Sequence, residues 1–325
     1  MKNIISFVSV KDMKERHNAV SCADLLQVYM RSCQATGPSE KILFEGVGHR
    51  DVYNITAPFM SGGRRILSGR VESRATELSE IIFFNKRGDT AWEPVADAPT
   101  FGLQDPCITL IDGQLILGGV RFPVELPGGG KSWRMEFYSG SSLNSLKAMF
   151  QGPDKMKDIR LGAMADGRVA VLTRSQGVKG GRGKIGFCIA ASPDAITADL
   201  IEAAPSIEGQ FIPEEWGGAN EAHLLKNGLL GILGHIACFD SGGGRHYYPM
   251  SFVLDPVKKT TSPVRIIARR SDFPAGAAKR PDLADVVFSG GLVRNGAGWA
   301  TLYSGLGDAE AGWLKIPDPF ATFEA

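Results

Sequence analysis

Four dipeptides leave this sequence little choice of secondary structure: Asp112-Gly113, Asp166-Gly167, Asn227-Gly228 and Asn295-Gly296, each set between short apolar runs. Such pairs supply the positive φ angles of tight hairpin turns, so they predict antiparallel strand pairs. They recur about every sixty residues, a spacing that suits sheet modules of about four strands each. Around them lie candidate strands, among them Arg65–Glu72, Cys107–Ile111, Gln114–Val120, Arg168–Thr173, Lys184–Ala190, Leu229–Ile236, Tyr248–Leu254, Asp285–Phe288, Leu292–Arg294 and Trp299–Ser304. Forty glycines and eighteen prolines suit a chain that turns this often. The fold class expected is all-β: a five-bladed β-propeller preceded by a short N-terminal helix. A pair of β-sandwiches is the alternative, but no linker or shift in composition divides the chain. Residues 1–40 are expected to pack a helix, Ser21–Ala35, onto a single propeller domain spanning 41–325. Ser21 is its cap, and Leu25, Leu26, Val28, Tyr29 and Cys33 form its apolar face.

The net charge of +1 gives no electrostatic footprint for nucleic acid or an anionic membrane. No apolar stretch reaches the length of a membrane helix, and the apolar run from Ile4 to Val10 meets Lys11, Asp12, Lys14 and Glu15 with no cleavage site. Five cysteines without CxxC spacing read as free thiols, which points to a reducing, cytoplasmic setting, and no metal-ligand cluster stands out.

Several residues carry chemistry that a plain β-fold does not need. Asp105 precedes Pro106 where a sheet begins; proline biases it towards an extended backbone and a position at a cleft, although Asp-Pro also simply starts strands or caps turns. His235 lies in an otherwise apolar strand, where a satisfied core histidine is the ordinary reading. Arg160 and Arg174 stand at strand ends; paired with carboxylates they are structural, but with His235 they would make an anion site. Arg70 and Glu72 share one strand face behind Asn54, as a buried ion pair or as groups that bind sugar hydroxyls. Gln176–Lys184 is rich in glycine and cations but lacks the Ser or Thr and the helix of a phosphate loop, and reads as a hairpin loop able to touch a ligand. The five tryptophans are ring platforms or core.

Taken in order, these segments resemble the family of mannoside phosphorylases and β-1,2-mannosidases, which are five-bladed propeller enzymes. The likeness rests on Asn54 with Gly69-Arg70-Val71-Glu72, Gln104-Asp105-Pro106-Cys107-Ile108-Thr109, Lys157-Asp158 with Leu172-Thr173-Arg174, Gly228 through His235, Tyr248 through Asp255, Asp285 through Gly291 and Tyr303 through Asp308. Asp51-Val52-Tyr53-Asn54 and Asp158-Ile159-Arg160-Leu161-Gly162 are similar to an uncharacterised domain-of-unknown-function branch in bacteria and protozoan parasites. Gln104 and Cys107 depart from the family, which has charged residues on both sides of its Asp-Pro.

The resemblance implies inverting phosphorolysis of a β-mannoside or related glycoside, with inorganic phosphate as co-substrate and no other cofactor. It makes Asp105 the general acid. Arg174, His235, Tyr248 and Arg160 would hold phosphate, while Asn54, Arg70, Asp308 and Glu72 would hold the sugar. Two alternatives stay open: a hydrolase whose base is Glu72, Glu77, Glu214, Glu215 or Glu221, and a non-catalytic carbohydrate-binding propeller. The partner expected is a small carbohydrate, and self-association stays open.

Overall fold

Strand pairing follows the turn signals in the computed structural model, which describes residues 8–32, 36–88, 91–126 and 128–324. Strand makes up 49% of the described residues and helix 12%, so the fold is all-β. The strands form five antiparallel groups in chain order. The first runs from Asp51–Tyr53 through Arg64–Glu72 and Ser79–Arg87 to Ala91–Pro94. The second comprises Gln104–Ile111, Gln114–Glu125, Lys131–Gly140 and Lys147–Gln151, and the third Arg160–Ala163, Val169–Gln176 and Gly181–Ala190. The fourth holds Trp216–Leu224, Leu230–Phe239 and Arg245–Leu254, with Arg265–Ile266 at its edge. The fifth is Asp285–Gly296, Trp299–Leu306 and Glu310–Pro317, and Ser39–Lys41 completes it by pairing with Glu310–Pro317. That closing strand comes from the N-terminal side of the boundary expected at residue 41. A short parallel pairing, His246 with Asp285 and Tyr247 with Val286, joins the fourth and fifth groups into one sheet.

The apolar core is divided among the seams between groups. Ile66, Phe83 and Leu117 pack between the first and second, and Ile111, Phe137 and Val171 between the second and third. Leu172, Ile185 and Ile232 fill the next seam, and Leu233, Val253 and Leu302 the one after. Val52, Leu67 and Tyr303 then join the fifth group back to the first. In Val169–Gln176, Val169 and Val171 face one neighbour while Ala170 and Leu172 face the other. Burial on both faces explains why this strand reads as an unbroken apolar run instead of an alternating one.

All four dipeptides lie at connections between antiparallel neighbours. Asp112 and Gly113, at φ 51° and 73°, make the two-residue turn expected. The last turn is displaced: Ala297 and Gly298 form it, and Gly296 falls at a register shift. The stretches Asp285–Phe288 and Leu292–Arg294 join into one strand, offset between Ser289 and Gly291. Glu310–Pro317 is a strand the sequence reading passed over. The helix runs over Cys22–Arg31, with Ser21 Oγ accepting from the Asp24 N–H. Leu25, Leu26 and Tyr29 pack against the third and fourth groups, but Val28 is 62% exposed. Cys33 lies outside the described residues.

Candidate active site

The ends of several groups meet around a cavity of about 190 Å³. Asn54, Asp105, Asp158 and Asp308 line it, and each has a positive φ, at 45°, 48°, 59° and 53°. Asn and Asp tolerate this left-handed region better than other side chains do. Here it aims a polar group inwards where the strand would otherwise continue. For Asp105 this corrects the extended conformation expected before proline: the strand begins at Gln104, and a register shift between Gln104 and Cys107 turns the carboxylate into the cavity.

Asp105 is 8% exposed. Its Oδ1 accepts from Asn54 Nδ2 at 2.8 Å and from Arg70 Nη1 at 3.1 Å. Oδ2 is left as the oxygen available to a ligand. Asn54 itself is held by close contact with the fifth group: a Cβ at Gly305 would sit 2.1 Å from Asn54 Oδ1. Arg70 lies 5.0 Å from the Tyr53 ring and donates to Glu72 from Nη2 at 2.8 Å.

Glu72 does not line the cavity. Buried at 1% exposure, it receives Arg70, Tyr53, Ser79 and Lys279 and so forms the base on which Arg70 stands. Burial pushes its carboxyl up, but those donors and the Arg70 charge outweigh this and hold it below the usual range. Asp308 is different: burial lifts it to about 6, with Arg70 opposing and Asp105 adding to the rise.

Opposite these groups lies a cationic cluster. Arg174, 4% exposed, donates from Nε to Gly217 O at 3.0 Å. Its Nη1 stands 3.2 Å from Asp158 Oδ2 but completes no hydrogen bond among the described residues. Burial would raise Asp158, yet Arg174, His235, Lys157 and Arg160 bring it down to about 2. His235 Nδ1 donates to Asn220 Oδ1 at 2.8 Å, so Nε2 is the acceptor nitrogen. Burial pushes this ring down to about 3, so it is neutral at ordinary pH. Lys157 also lines the cavity.

Two expected phosphate residues stand elsewhere. Arg160 is buried beneath the cavity, with Nε on Asn220 O at 3.0 Å and Nη1 on Ile159 O at 2.9 Å, so it braces the wall. Tyr248 turns its hydroxyl to Asp285 Oδ2 at 2.7 Å, and its neighbour Tyr247 lines the cavity and stacks on His235, with centroids 5.5 Å apart. Successive strand residues face opposite sides, so a displacement of one residue exchanges cavity for core. Lys157, Tyr247 and Arg245 line the cavity and were not among the expected site residues. The Lys157-Asp158 segment offered a signal for the first; nothing in the pattern marked the other two.

A second cavity, of about 440 Å³, adjoins the first and shares Glu77, Gln104, Lys157, Arg174, Arg245 and Tyr247 with it. Phe122, Trp133, Trp216, Phe239 and Arg182 are among its other walls. Gln104 donates from Nε2 to Glu77 O at 2.8 Å, while Cys107 is buried against Gly118 and Phe137. At the two departures from the family pattern, one residue thus borders the cavities and the other packs in the core.

The fold agrees with comparison to known proteins. A family model described as "Protein of unknown function (DUF1861)" matches residues 29–322. The chain belongs to the DUF1861 family. A comparison with curated protein sequences finds no match. Among solved structures, this DUF1861 chain is 33% identical to MPT-4, a mannose phosphorylase from Leishmania mexicana in complex with phosphate ion. The TM-score is 0.84, over 92% of this chain and 93% of that one. MPT-1, a GDP-Man-dependent mannosyltransferase from the same organism, is 30% identical with a TM-score of 0.85, over 94% and 98%. The β-1,2-mannobiose phosphorylase of Listeria innocua, at 16% identity, shares the fold with a TM-score of 0.59 over 86% and 90%. The resemblance read from the motifs is borne out, and the DUF1861 chain is an enzyme.

Proposed function

We propose that the chain is an inverting glycoside phosphorylase acting on a β-mannoside or a closely related glycoside, on a five-bladed propeller. The closed circuit of five seams supports the propeller reading. The observation that carries the chemistry is one carboxylate, Asp105, held through a single oxygen and sharing a cavity with Arg174, whose buried Nη1 completes no hydrogen bond among the described residues. Phosphorolysis needs an acid and an anion cradle, and the phosphate itself replaces the water that a base would activate.

In this reading Asn54, Arg70 and Asp308 seat the glycosyl unit. Arg174, Lys157 and His235 seat phosphate beside the anomeric carbon, with Tyr247 at the wall. A phosphate oxygen attacks that carbon as its bond to the leaving oxygen breaks. Asp105 gives the leaving oxygen a proton, directly or through a sugar hydroxyl, and hydrogen phosphate makes that proton good. The products are the free alcohol and a sugar 1-phosphate of inverted configuration. Neutral His235 suits this role, because Nε2 accepts the hydrogen-phosphate proton as a hydrogen bond. That MPT-4 is a mannose phosphorylase whose structure is in complex with phosphate ion supports the reading.

Asp105→Asn keeps the shape and removes the acid. Turnover is expected to fall by about 10²- to 10⁴-fold, with sugar affinity within a few-fold of wild type by calorimetry. Undiminished turnover would end the assignment of Asp105.

Hydrolysis is the second reading, because Asp308 shares the cavity with Asp105 and is lifted to about 6, which suits a base. Of the five glutamates weighed as a base, Glu77 lines the cavity. Glu72 is bound beneath Arg70, Glu215 accepts from the Cys22 N–H and Glu221 from the Leu292 N–H, and Glu214 is exposed at the surface.

A further inference from the structure

The larger cavity has a chemistry that binding a neutral sugar does not require. Its walls carry four cations, Lys157, Arg174, Arg182 and Arg245, against one carboxylate, Glu77. Arg174 is engaged with the inner cavity. Arg245 has Asp282 at 3.7 Å. Arg182 has no carboxylate partner among the described residues, and its side chain makes no hydrogen bond there. Its guanidinium instead lies over two rings, 5.8 Å from Trp216 and 5.5 Å from Phe239. Stacking holds a guanidinium by its face and leaves the N–H edge free to fork onto an anion.

The segment that presents Arg182 is fixed from behind. Gln176 Nε2 donates to Arg182 O at 3.0 Å, and Arg174 Nη2 approaches the same oxygen at 3.5 Å. Gly183 lies so close to Arg174 that a Cβ there would sit 2.6 Å from its Nε. Trp216 Nε1 donates to Tyr247 Oη at 3.1 Å, which steadies the opposite wall. The Gly-rich stretch that failed as a nucleotide loop is thus built against the cavity.

We infer that the larger cavity is the leaving-group site for an anionic saccharide, a sugar acid or sugar phosphate, whose charge is read by the free edge of Arg182. The inference rests on the phosphorylase reading, which places glycosyl and phosphate in the inner cavity and leaves the adjoining one for the rest of the substrate. A saccharide fits better than a nucleoside diphosphate. Arg182 lies over Trp216 and Phe239, and Arg245 lies 5.9 Å over Phe239, so a purine whose phosphates reached Arg182 would find the rings beside it already covered and would have Phe122 and Trp133 left to stack on. Gln104 and Gln176, also in the walls, offer amides suited to hydroxyls.

The test is calorimetric titration of the wild-type protein in saturating inorganic phosphate, which fills the inner anion site. Glucuronate is compared with glucose, and mannose 6-phosphate with mannose. At least one anionic sugar is expected to bind about tenfold or more tightly than its neutral counterpart, the scale of a charged hydrogen bond. Which pair shows the preference separates a carboxylate from a phosphate as its source. Arg182→Gln should bring that ratio close to one while neutral-sugar and phosphate binding stay unchanged, and Arg182→Lys should restore part of it. Equal affinities within both pairs, or a preference that survives in Arg182→Gln, would overturn the inference. So would GDP binding more tightly than either sugar anion through Arg182, since the ligand would then not be a saccharide. Phosphorolysis of neutral glycosides without any charge preference would overturn this inference alone and leave the proposed function standing.

Discussion

Asp308 shows what the site costs at the level of one residue. Its carboxylate accepts no hydrogen bond from the described side chains, faces the cavity and shares it with Asp105, so burial and that like charge lift it to about 6. The unfolded chain loses this proton near the ordinary aspartate value of about 4. Between about pH 4 and 6 the native state therefore holds the proton more tightly, and stability falls as pH rises through that window. Asp308→Asn has no such loss. Its melting temperature is expected to exceed that of wild type by a few degrees at pH 7, with the gap closing as the pH falls to 4. A gap independent of pH would contradict the assignment. Residue types made much of this site legible: Asn54, Arg70, Asp105, Arg174, His235 and Asp308 line the cavity or bind the groups that do. The left-handed backbone that aims three of them was not legible, because Asn and Asp permit a positive φ without demanding it.

A strand is the scale at which the remaining assignments shifted. Tyr247 and Tyr248 differ in role because adjacent strand residues face opposite sides, and the parity of Arg245–Leu254 is set by neighbours distant in sequence. Glu72, read as a sugar ligand, is part of the strand's own support. With side-chain exposures of 7% for Arg70, 1% for Glu72 and 6% for Lys279, it neutralises two buried cations. Glu72→Ala would leave both without their main partner and should cost about 3–5 kcal/mol, measured by urea denaturation. Breaking the exposed Arg50–Glu80 pair with Arg50→Ala is expected to cost under about 1 kcal/mol. Similar losses for the two variants would contradict the account of Glu72 as a buried keystone for Arg70.

For the molecule as a whole, the turn dipeptides carried most of the architecture, since their glycines, Gly113, Gly167, Gly228 and Gly296, all take the positive φ that favours glycine locally. Closure was not readable. Ser39–Lys41 is too short for a periodicity signal, and its pairing with Glu310–Pro317 depends on contacts across nearly the whole chain. That closure brings the fifth group against the first and so sets Asp308 and Asn54 in one cavity with Asp105 and Arg174. The central claim is that this cavity holds phosphate as the nucleophile. Its most direct test is product analysis on a panel of β-mannosides and β-glucosides, with and without inorganic phosphate. Sugar 1-phosphate formed only when phosphate is present is the expected result; free sugar at the same rate in both conditions would contradict it and make the enzyme a hydrolase.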